Sequence, residues 1–373
     1  MGPDAPPASA QGSRQFRLSH DPKESWQLPE ICSGSSRNSL DRKRRQLEVG
    51  LSFDRPDRRH QSPLEDACMK ALLLAAGFGS RLKPLTDHVP KPLTLFMGQP
   101  ILDIVYRQVT SAGIESVAVN THHLSEKIAA HIQKTALYKQ PIQISYEEEI
   151  LGTGGSINPL RPWLGSDDLL IFNGDIVTSL DLSAFCKAHE EQKPIASMVL
   201  LDHKEGTTPV WVKDGRVVSI GEPSPGALKR TFAGIFVDVL PQSGFQSVID
   251  TYKKLLGTHK VFAFDHPGYW ADLGIPKDYL EAHRELWQHP ARTSILKALE
   301  LDSSGWNWSE VDETLFIDGP LQAGFKQSFV FGDVKADQPI HIQRCIVYAG
   351  IELTKHSHEE NKIITPYARL NII

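Results

Sequence analysis

The run Ala71-Leu72-Leu73-Leu74-Ala75-Ala76 contains no polar residue and leads straight into Gly77-Phe78-Gly79-Ser80-Arg81. An apolar run this short, closed by glycines, suits a strand covered on both faces. The following chain repeats the theme. Ile101 to Ala112 has the apolar spacing of an amphipathic helix and stops at Gly113. Ser116 to Asn120 reads as a strand, and Ser125 to Ile132 as a helix with Ser125 as its N-cap. Ile142 to Tyr146 is a strand, and Gly152-Thr153-Gly154-Gly155 opens another helix. Asp168 to Phe172 is a buried strand ending in Asn173-Gly174-Asp175. Alternating strands and helices with near-continuous apolar strands predict an α/β fold. Its mixed, mainly parallel sheet carries helices on both faces. Later strands read as antiparallel or mixed: Ala196 to Leu201, Val210 to Lys213, Val217 to Ile220 and Thr231 to Val237. Lys213-Asp214-Gly215-Arg216 is a hairpin turn, and Lys277 to Gln288 is a closing helix.

Both ends of the chain differ from this middle. Residues 1–68 are rich in Pro, Ser, Asp and Arg and poor in periodic apolar residues. Such a segment cannot offset its ordering entropy by burial, so a disordered extension is expected, with the folded part starting at Met69. Arg42-Lys43-Arg44-Arg45 within it reads as a solvated charge run. Residues 300–373 carry short β-branched pieces between glycines and polar turns: Leu315-Phe316-Ile317, Ser328-Phe329-Val330, Ile340-His341-Ile342, Cys345-Ile346-Val347 and Ile363-Ile364. That pattern predicts a short, degenerate C-terminal segment like a left-handed β-helix. Trp306 and Trp308 read as anchors between this segment and the preceding one.

Composition removes several functional classes. The 373 residues are 40% hydrophobic and 23% charged, with a net charge of -5 from 40 basic and 45 acidic residues. No apolar run approaches the roughly 18 residues of a membrane helix, and the N-terminus lacks a signal-peptide core. The mixed charge offers no broad footprint for nucleic acid. Cys32, Cys68, Cys186 and Cys345 lie far apart, which excludes a disulfide framework and fits the cytoplasm.

The loop after the first strand carries the chemistry. Gly77 and Gly79 let backbone N–H groups approach a ligand. The loop lacks the Lys-Ser/Thr of a Walker motif, and Leu82 occupies the third glycine position of a dinucleotide fingerprint. Arg81 follows, then Pro84-Leu85-Thr86, then Lys91 between Pro90 and Pro92. Two cations beside an N–H-rich loop suit a polyphosphate.

The stretch LLLAAGFGSRLKPLTDHVPKPL, residues 72–93, resembles the opening motif of the sugar-1-phosphate nucleotidylyltransferases. The resemblance continues through Glu148-Glu149-Ile150-Leu151-Gly152-Thr153-Gly154-Gly155, Asn173-Gly174-Asp175, Thr231-Phe232-Ala233-Gly234-Ile235 and Gly268-Tyr269-Trp270-Ala271-Asp272-Leu273-Gly274. It covers residues 69–290. The nearest members are mannose-1-phosphate guanylyltransferases and N-acetylmuramate-1-phosphate uridylyltransferases. The resemblance implies a Rossmann-like catalytic domain over 69–290. It also implies transfer of a nucleoside monophosphate from an NTP to a sugar-1-phosphate, with release of pyrophosphate. Ala76, Gly77, Gly79 and Ser80 would then lie along the nucleotide, with Glu147, Gly152 and Thr153 near its base. Arg81 would neutralise the leaving pyrophosphate, and Lys91 would sit over the α-phosphate or the sugar phosphate. Asp175 and Asp272 would hold Mg²⁺, which favours a couple of carboxylates with phosphate oxygens and waters. Gly155 and Gly234 would lie near the sugar.

One position departs from the family. Its Glu-Lys-Pro, whose lysine meets the sugar phosphate, is Ile220-Gly221-Glu222-Pro223 here. Glu222 stays a candidate, with Lys229 or Arg230 as replacement for the lysine. A carboxylate among Glu147, Glu148 and Glu149 could accept from the guanine N1–H and N2–H₂ edge, which tilts the expectation toward GTP and mannose-1-phosphate. The rivals are a cytidylyl- or uridylyltransferase on another phosphate acceptor, and a silent regulatory subunit that binds nucleotide-sugar. Neither membrane nor nucleic acid is expected as a partner, and a homo-oligomer stays open. His122-His123 reads as a strand-end pair. His356-Ser357-His358-Glu359-Glu360 has metal-ligand residue types but the open, charged context of a solvated loop.

Overall fold

The structure is a computed structural model that describes residues 69–238, 248–256 and 260–372. The expected extension over residues 1–68, with its basic cluster, lies outside the described residues. Among the described residues a nine-stranded sheet forms the centre. Strand Met69–Leu74 lies between Val117–Thr121 and Asp168–Asn173, parallel to both, and Gln143–Tyr146 extends the parallel half. Leu72 and Leu73 are fully buried, as a strand covered on both faces requires. Helix Ile101–Ser111 presents Ile101, Ile104, Val105 and Gln108 inward, the i, i+3, i+4, i+7 stripe of an amphipathic helix. It ends where Gly113, at φ 87°, turns the chain and Ile114 N–H donates back to the Val109 carbonyl. The helix Ser125–Lys134 corrects one expectation. Ser125 is its first helical residue, and the capping position belongs to Leu124 at φ 53° with no side-chain cap.

Beyond Asp168–Asn173 the sheet turns antiparallel. Leu228–Asp238 pairs antiparallel with both Asp168–Asn173 and Ala196–Asp202. Strand Val261–Asp265, not among the expected strands, lies parallel beside Ala196–Asp202. The Pro209–Lys213 and Arg216–Ile220 hairpin turns through Asp214 and Gly215, both at positive φ, as so tight a turn demands. A separate ribbon pairs Ile176–Thr178 with Trp270–Asp272. Among the described residues no helix is long and apolar enough to cross a membrane.

From Thr314 onward the chain coils. Phe325, Ile342 and Glu359 stack in parallel register, as do Phe329, Ile346 and Ile363. The step along the chain is the same in both stacks, a β-helix-like arrangement, and only the first step, from Leu315 to Phe329, is shorter. Aliphatic residues of successive coils, among them Val330, Ile342, Val347 and Ile364, fill its interior. The coils pack on the closing helix Pro276–Gln288. Trp306 and Trp308 meet Trp287 with ring centroids 6.0 and 5.3 Å away. His283 of the same helix lies against Phe329 and Phe331.

Candidate active site

Parallel strands bring their carboxyl ends to one edge of a sheet, and ligands in open α/β sheets bind there. Here that edge carries Ala75–Gly79, Asn120, Glu147 and Asn173, which follow or end the four parallel strands. They surround a cleft of about 230 Å³ that Lys91, Asp175, Gly152 and Thr153 also line. Asn120 braces it. Its Oδ1 accepts from Ala75 N–H at 2.7 Å, and its Nδ2 donates to Glu147 Oε1 at 2.8 Å. Glu147 Oε2 accepts from Leu151 N–H at 2.9 Å, so both carboxylate oxygens tie the Glu147–Leu151 loop to the strand ends. Glu147 itself is buried.

The glycine loop borders open space at one glycine and packs tightly at the other. A Cβ on Gly77 would meet nothing within 4 Å. Gly79 sits at φ 62°, where a side chain would collide with Thr86, and Thr86 Oγ1 donates to the Gly79 carbonyl at 2.9 Å. His122 Nδ1 donates to the Glu147 carbonyl and His123 Nε2 to the Thr86 carbonyl, both at 2.8 Å. The two histidines are thus strand-end pins, as their sequence context suggests.

Two aspartates meet beside this loop. Gly174 N–H donates to the Leu74 carbonyl at 3.0 Å, an approach that a Cβ would block. That contact sets Asp175 at the cleft. In the ribbon, Asp272 pairs with Ile176 and Leu273 N–H donates to the Asp175 carbonyl at 2.9 Å. Residues far apart in the chain therefore share one corner. Lys91 Nζ pairs with Asp175 Oδ2 at 2.5 Å. The Lys91 backbone is pinned, because Thr94 donates to its carbonyl through both Oγ1 and N–H. Burial and the Asp175 charge raise the Asp272 carboxyl above its ordinary value, while Lys91 and Arg81 pull it down. Asp272 Oδ1 is buried with no hydrogen-bond partner among the described residues, which leaves it free to accept from a ligand. The pair can therefore accept a hard divalent cation. Arg81 reaches the same corner, since a Cβ on Gly274 would touch both its Nη2 and Asp272 Oδ1.

The expected residues fall in four groups. Ala76, Gly77, Glu147, Gly152 and Thr153 line the cleft with Lys91 and Asp175. Gly79, Ser80, Arg81 and Asp272 adjoin these through the loop and the ribbon. Gly234, at φ 79°, lies against the Asn173 side chain, and Gly155 is buried in a single helical turn. Glu222 and Lys229 do not line the cleft; both are exposed. Arg230 is held by Asp202 and Asp265 at 3.5 and 3.1 Å. Another cation is linked to the Gly234 strand through Trp270. Lys204 Nζ lies 4.4 Å from the Trp270 ring centroid, and Trp270 Nε1 donates to the Ala233 carbonyl at 2.9 Å. Sequence reasoning passed over Lys204, Asn173 and Asn120. Only the asparagines carried a signal, a polar residue ending a buried parallel strand.

Residues 70–208 match the Nucleotidyl transferase family. The mannose-1-phosphate guanylyltransferase of Mycobacterium tuberculosis is 28% identical over 240 residues, 61% of this chain and 67% of that protein. Mannose-1-phosphate guanylyltransferase 1 of Arabidopsis thaliana is 27% identical over 312 residues, 79% of this chain and 86% of that protein. The mannose-1-phosphate guanyltransferase of Pichia angusta is 33% identical over 230 residues, 57% of this chain and 62% of that protein. The chain thus spans less than two thirds of the Pichia relative. The fold matches the crystal structure of HddC from Yersinia pseudotuberculosis complexed with GMP-PN. That match has a TM-score of 0.50 at 23% identity and covers 58% of this chain and 98% of that one.

Proposed function

As this chain belongs to the sugar-1-phosphate nucleotidylyltransferase family, we propose that it transfers GMP from GTP to mannose-1-phosphate and releases pyrophosphate. The observation that carries this reading is the corner where Asp175 and Asp272 converge with Lys91 and Arg81 beside an N–H-rich loop. We assign the chemistry to residues 69–290 and treat the C-terminal coils, 300–373, as an appended unit. In the reaction, an oxygen of the sugar phosphate attacks the α-phosphorus as the bond to the bridging oxygen of pyrophosphate breaks. Such transfers need positioning and charge neutralisation more than covalent help.

The loop from Ala76 to Ser80 would bind the triphosphate through its backbone N–H groups. Arg81 would meet the leaving pyrophosphate, where negative charge grows. Lys91 would exchange its contact with Asp175 for a phosphate oxygen once nucleotide enters. Asp175 and Asp272 would hold Mg²⁺, which when bound supplies neutralisation of phosphate charge. Glu147 acts by holding its loop, because its oxygens are already engaged; Glu148 and Glu149 are the exposed carboxylates for a guanine edge. Lys204, over the Trp270 ring, would join Lys229 as a candidate cation for the sugar phosphate. A silent regulatory subunit is disfavoured by the complete charged set.

The test is a panel of NTPs against sugar-1-phosphates with Mg²⁺, read by pyrophosphate release. GTP with mannose-1-phosphate is expected to turn over fastest. Asp272→Asn is expected to lose most activity and to regain part of it at raised Mg²⁺, by mass action on a weakened site. No pyrophosphate from any pair would overturn the reading. Wild-type rates in Asp272→Asn at ordinary Mg²⁺ would remove that carboxylate from metal binding.

A further inference from the structure

The segment His356–Glu360 is not the solvated loop that its composition suggests. His358–Glu360 is a strand of the C-terminal coils, and it pairs in parallel register with His341–Gln343. Register sets His341 beside His358 and Gln343 beside Glu360. Strand alternation puts His358 and Glu360 on one face and Glu359 on the other. Glu359 is engaged by Lys362 at 2.6 Å and Arg369 at 2.9 Å. Glu360 remains, and the two imidazoles converge on it.

The imidazole rings stack with centroids 4.8 Å apart and planes within 11°. His341 Nε2 lies 3.5 Å and His358 Nε2 3.7 Å from the same oxygen, Glu360 Oε1. These separations are longer than hydrogen bonds, which cluster near about 2.9 Å. They approach the spacing of neighbouring donors around one tetrahedral ion, about 3.3 Å for metal–ligand bonds near 2.0 Å. One ligand atom from each of the three residues falls within 4.8 Å of the others.

We propose that His341, His358 and Glu360 form a transition-metal site, filled by Zn²⁺ or a cation of similar ligand preference, that clips two successive coils together. Two imidazoles and one carboxylate form a donor set that suits zinc and disfavours Mg²⁺, whose sites are all oxygen. The site is therefore chemically separate from the Asp175 and Asp272 pair and does not depend on the proposed reaction. Water completes the coordination, because all three side chains reach solvent. His341 and His358 are register partners on successive coils, so the ion closes one full coil. A cross-link that binds the folded coils alone stabilises them by mass action.

The experiment uses the full chain stripped of metal with EDTA. Zn²⁺ is titrated against a chromophoric chelator in excess Mg²⁺, and the melting temperature is followed with and without Zn²⁺. The wild type is expected to bind one Zn²⁺ that Mg²⁺ does not displace and to melt higher with it. His341→Ala, His358→Ala and Glu360→Gln are each expected to weaken that binding at least tenfold, and the histidine double variant to lose it with the thermal shift. Co²⁺ in the wild type is expected to show the intense visible absorption of a tetrahedral site. Metal-free melting controls for folding; should the alanine variants fail that control, His358→Gln takes their place. Zn²⁺ affinity and thermal shift unchanged in the substituted protein, or absent from the wild type, would overturn the proposal.

Discussion

Lowering the pH should loosen the protein through His283, at the seam between the closing helix and the coils. This side chain is fully buried. The rings of Phe96, Tyr279, Phe329 and Phe331 surround it at 4.6 to 5.7 Å. Its Nδ1–H donates to the Tyr279 carbonyl at 2.7 Å, and its Nε2 accepts from Met97 N–H at 3.1 Å. Both ring nitrogens are therefore used in the neutral form, and a proton on Nε2 would face another donor. Burial pushes its pKa down from 6.5 to about 4, against a smaller upward pull from the Tyr279 carbonyl. Between these values the unfolded chain binds more protons than the folded one, so stability rises with pH across that window. The stabilisation is complete above the unfolded value and is lost as pH falls through the window. Linkage puts the loss at about 2 kcal/mol by pH 5 and about 3 kcal/mol by pH 4.

The perturbation is His283→Gln, which keeps a polar amide at the position without a titrating group. Urea unfolding would be followed by tryptophan fluorescence at pH 7.5 and pH 5. Other groups titrate in both proteins, so the informative quantity is the difference between their pH-induced losses. The wild type is expected to lose about 2 kcal/mol more than the variant. Equal losses would refute the reasoning and show that His283 accepts its proton without leaving the fold.

Two further outcomes follow from the site. Arg81→Ala is expected to lower kcat about 10²-fold or more while changing KM for the sugar phosphate much less, because the charge acts where pyrophosphate departs. Steady-state kinetics with each substrate varied would check it. Asn120→Ala strands the Ala75 N–H and one Glu147 oxygen, so a loss of about 2 kcal/mol or more is expected in urea unfolding, with a raised KM for the nucleotide.

Much of the parallel half of the sheet is legible in the sequence because its cause is local. Leu72 and Leu73 announce a doubly covered strand, Ile101, Ile104 and Val105 a helix face, and Asp214-Gly215 a hairpin turn. Those signals depend on residues within a turn or two of one another. The glycine loop, Arg81, Lys91 and both aspartates are also visible, because the resemblance covers those motifs. The place of strand Val261–Asp265 in the sheet is not, since it is set by pairing with Ala196–Asp202, distant in the chain. Ser125 is not the cap it resembles, because its neighbour Leu124 adopts a left-handed conformation that no sequence pattern requires.

The sequence by itself determined which residue types were available: two cations, two aspartates, a glycine loop, and histidines and glutamates near the C-terminus. Only tertiary structure decided which of them meet. The short ribbon sets Asp272 beside Asp175. Asn120 and the Leu151 N–H each take one oxygen of Glu147, which leaves that carboxylate a brace. The parallel register of two successive coils sets His341 over His358. Each meeting joins positions far apart in the chain, and its geometry is fixed by strand register. Register depends on the whole packed sheet, so it leaves no mark in any one segment.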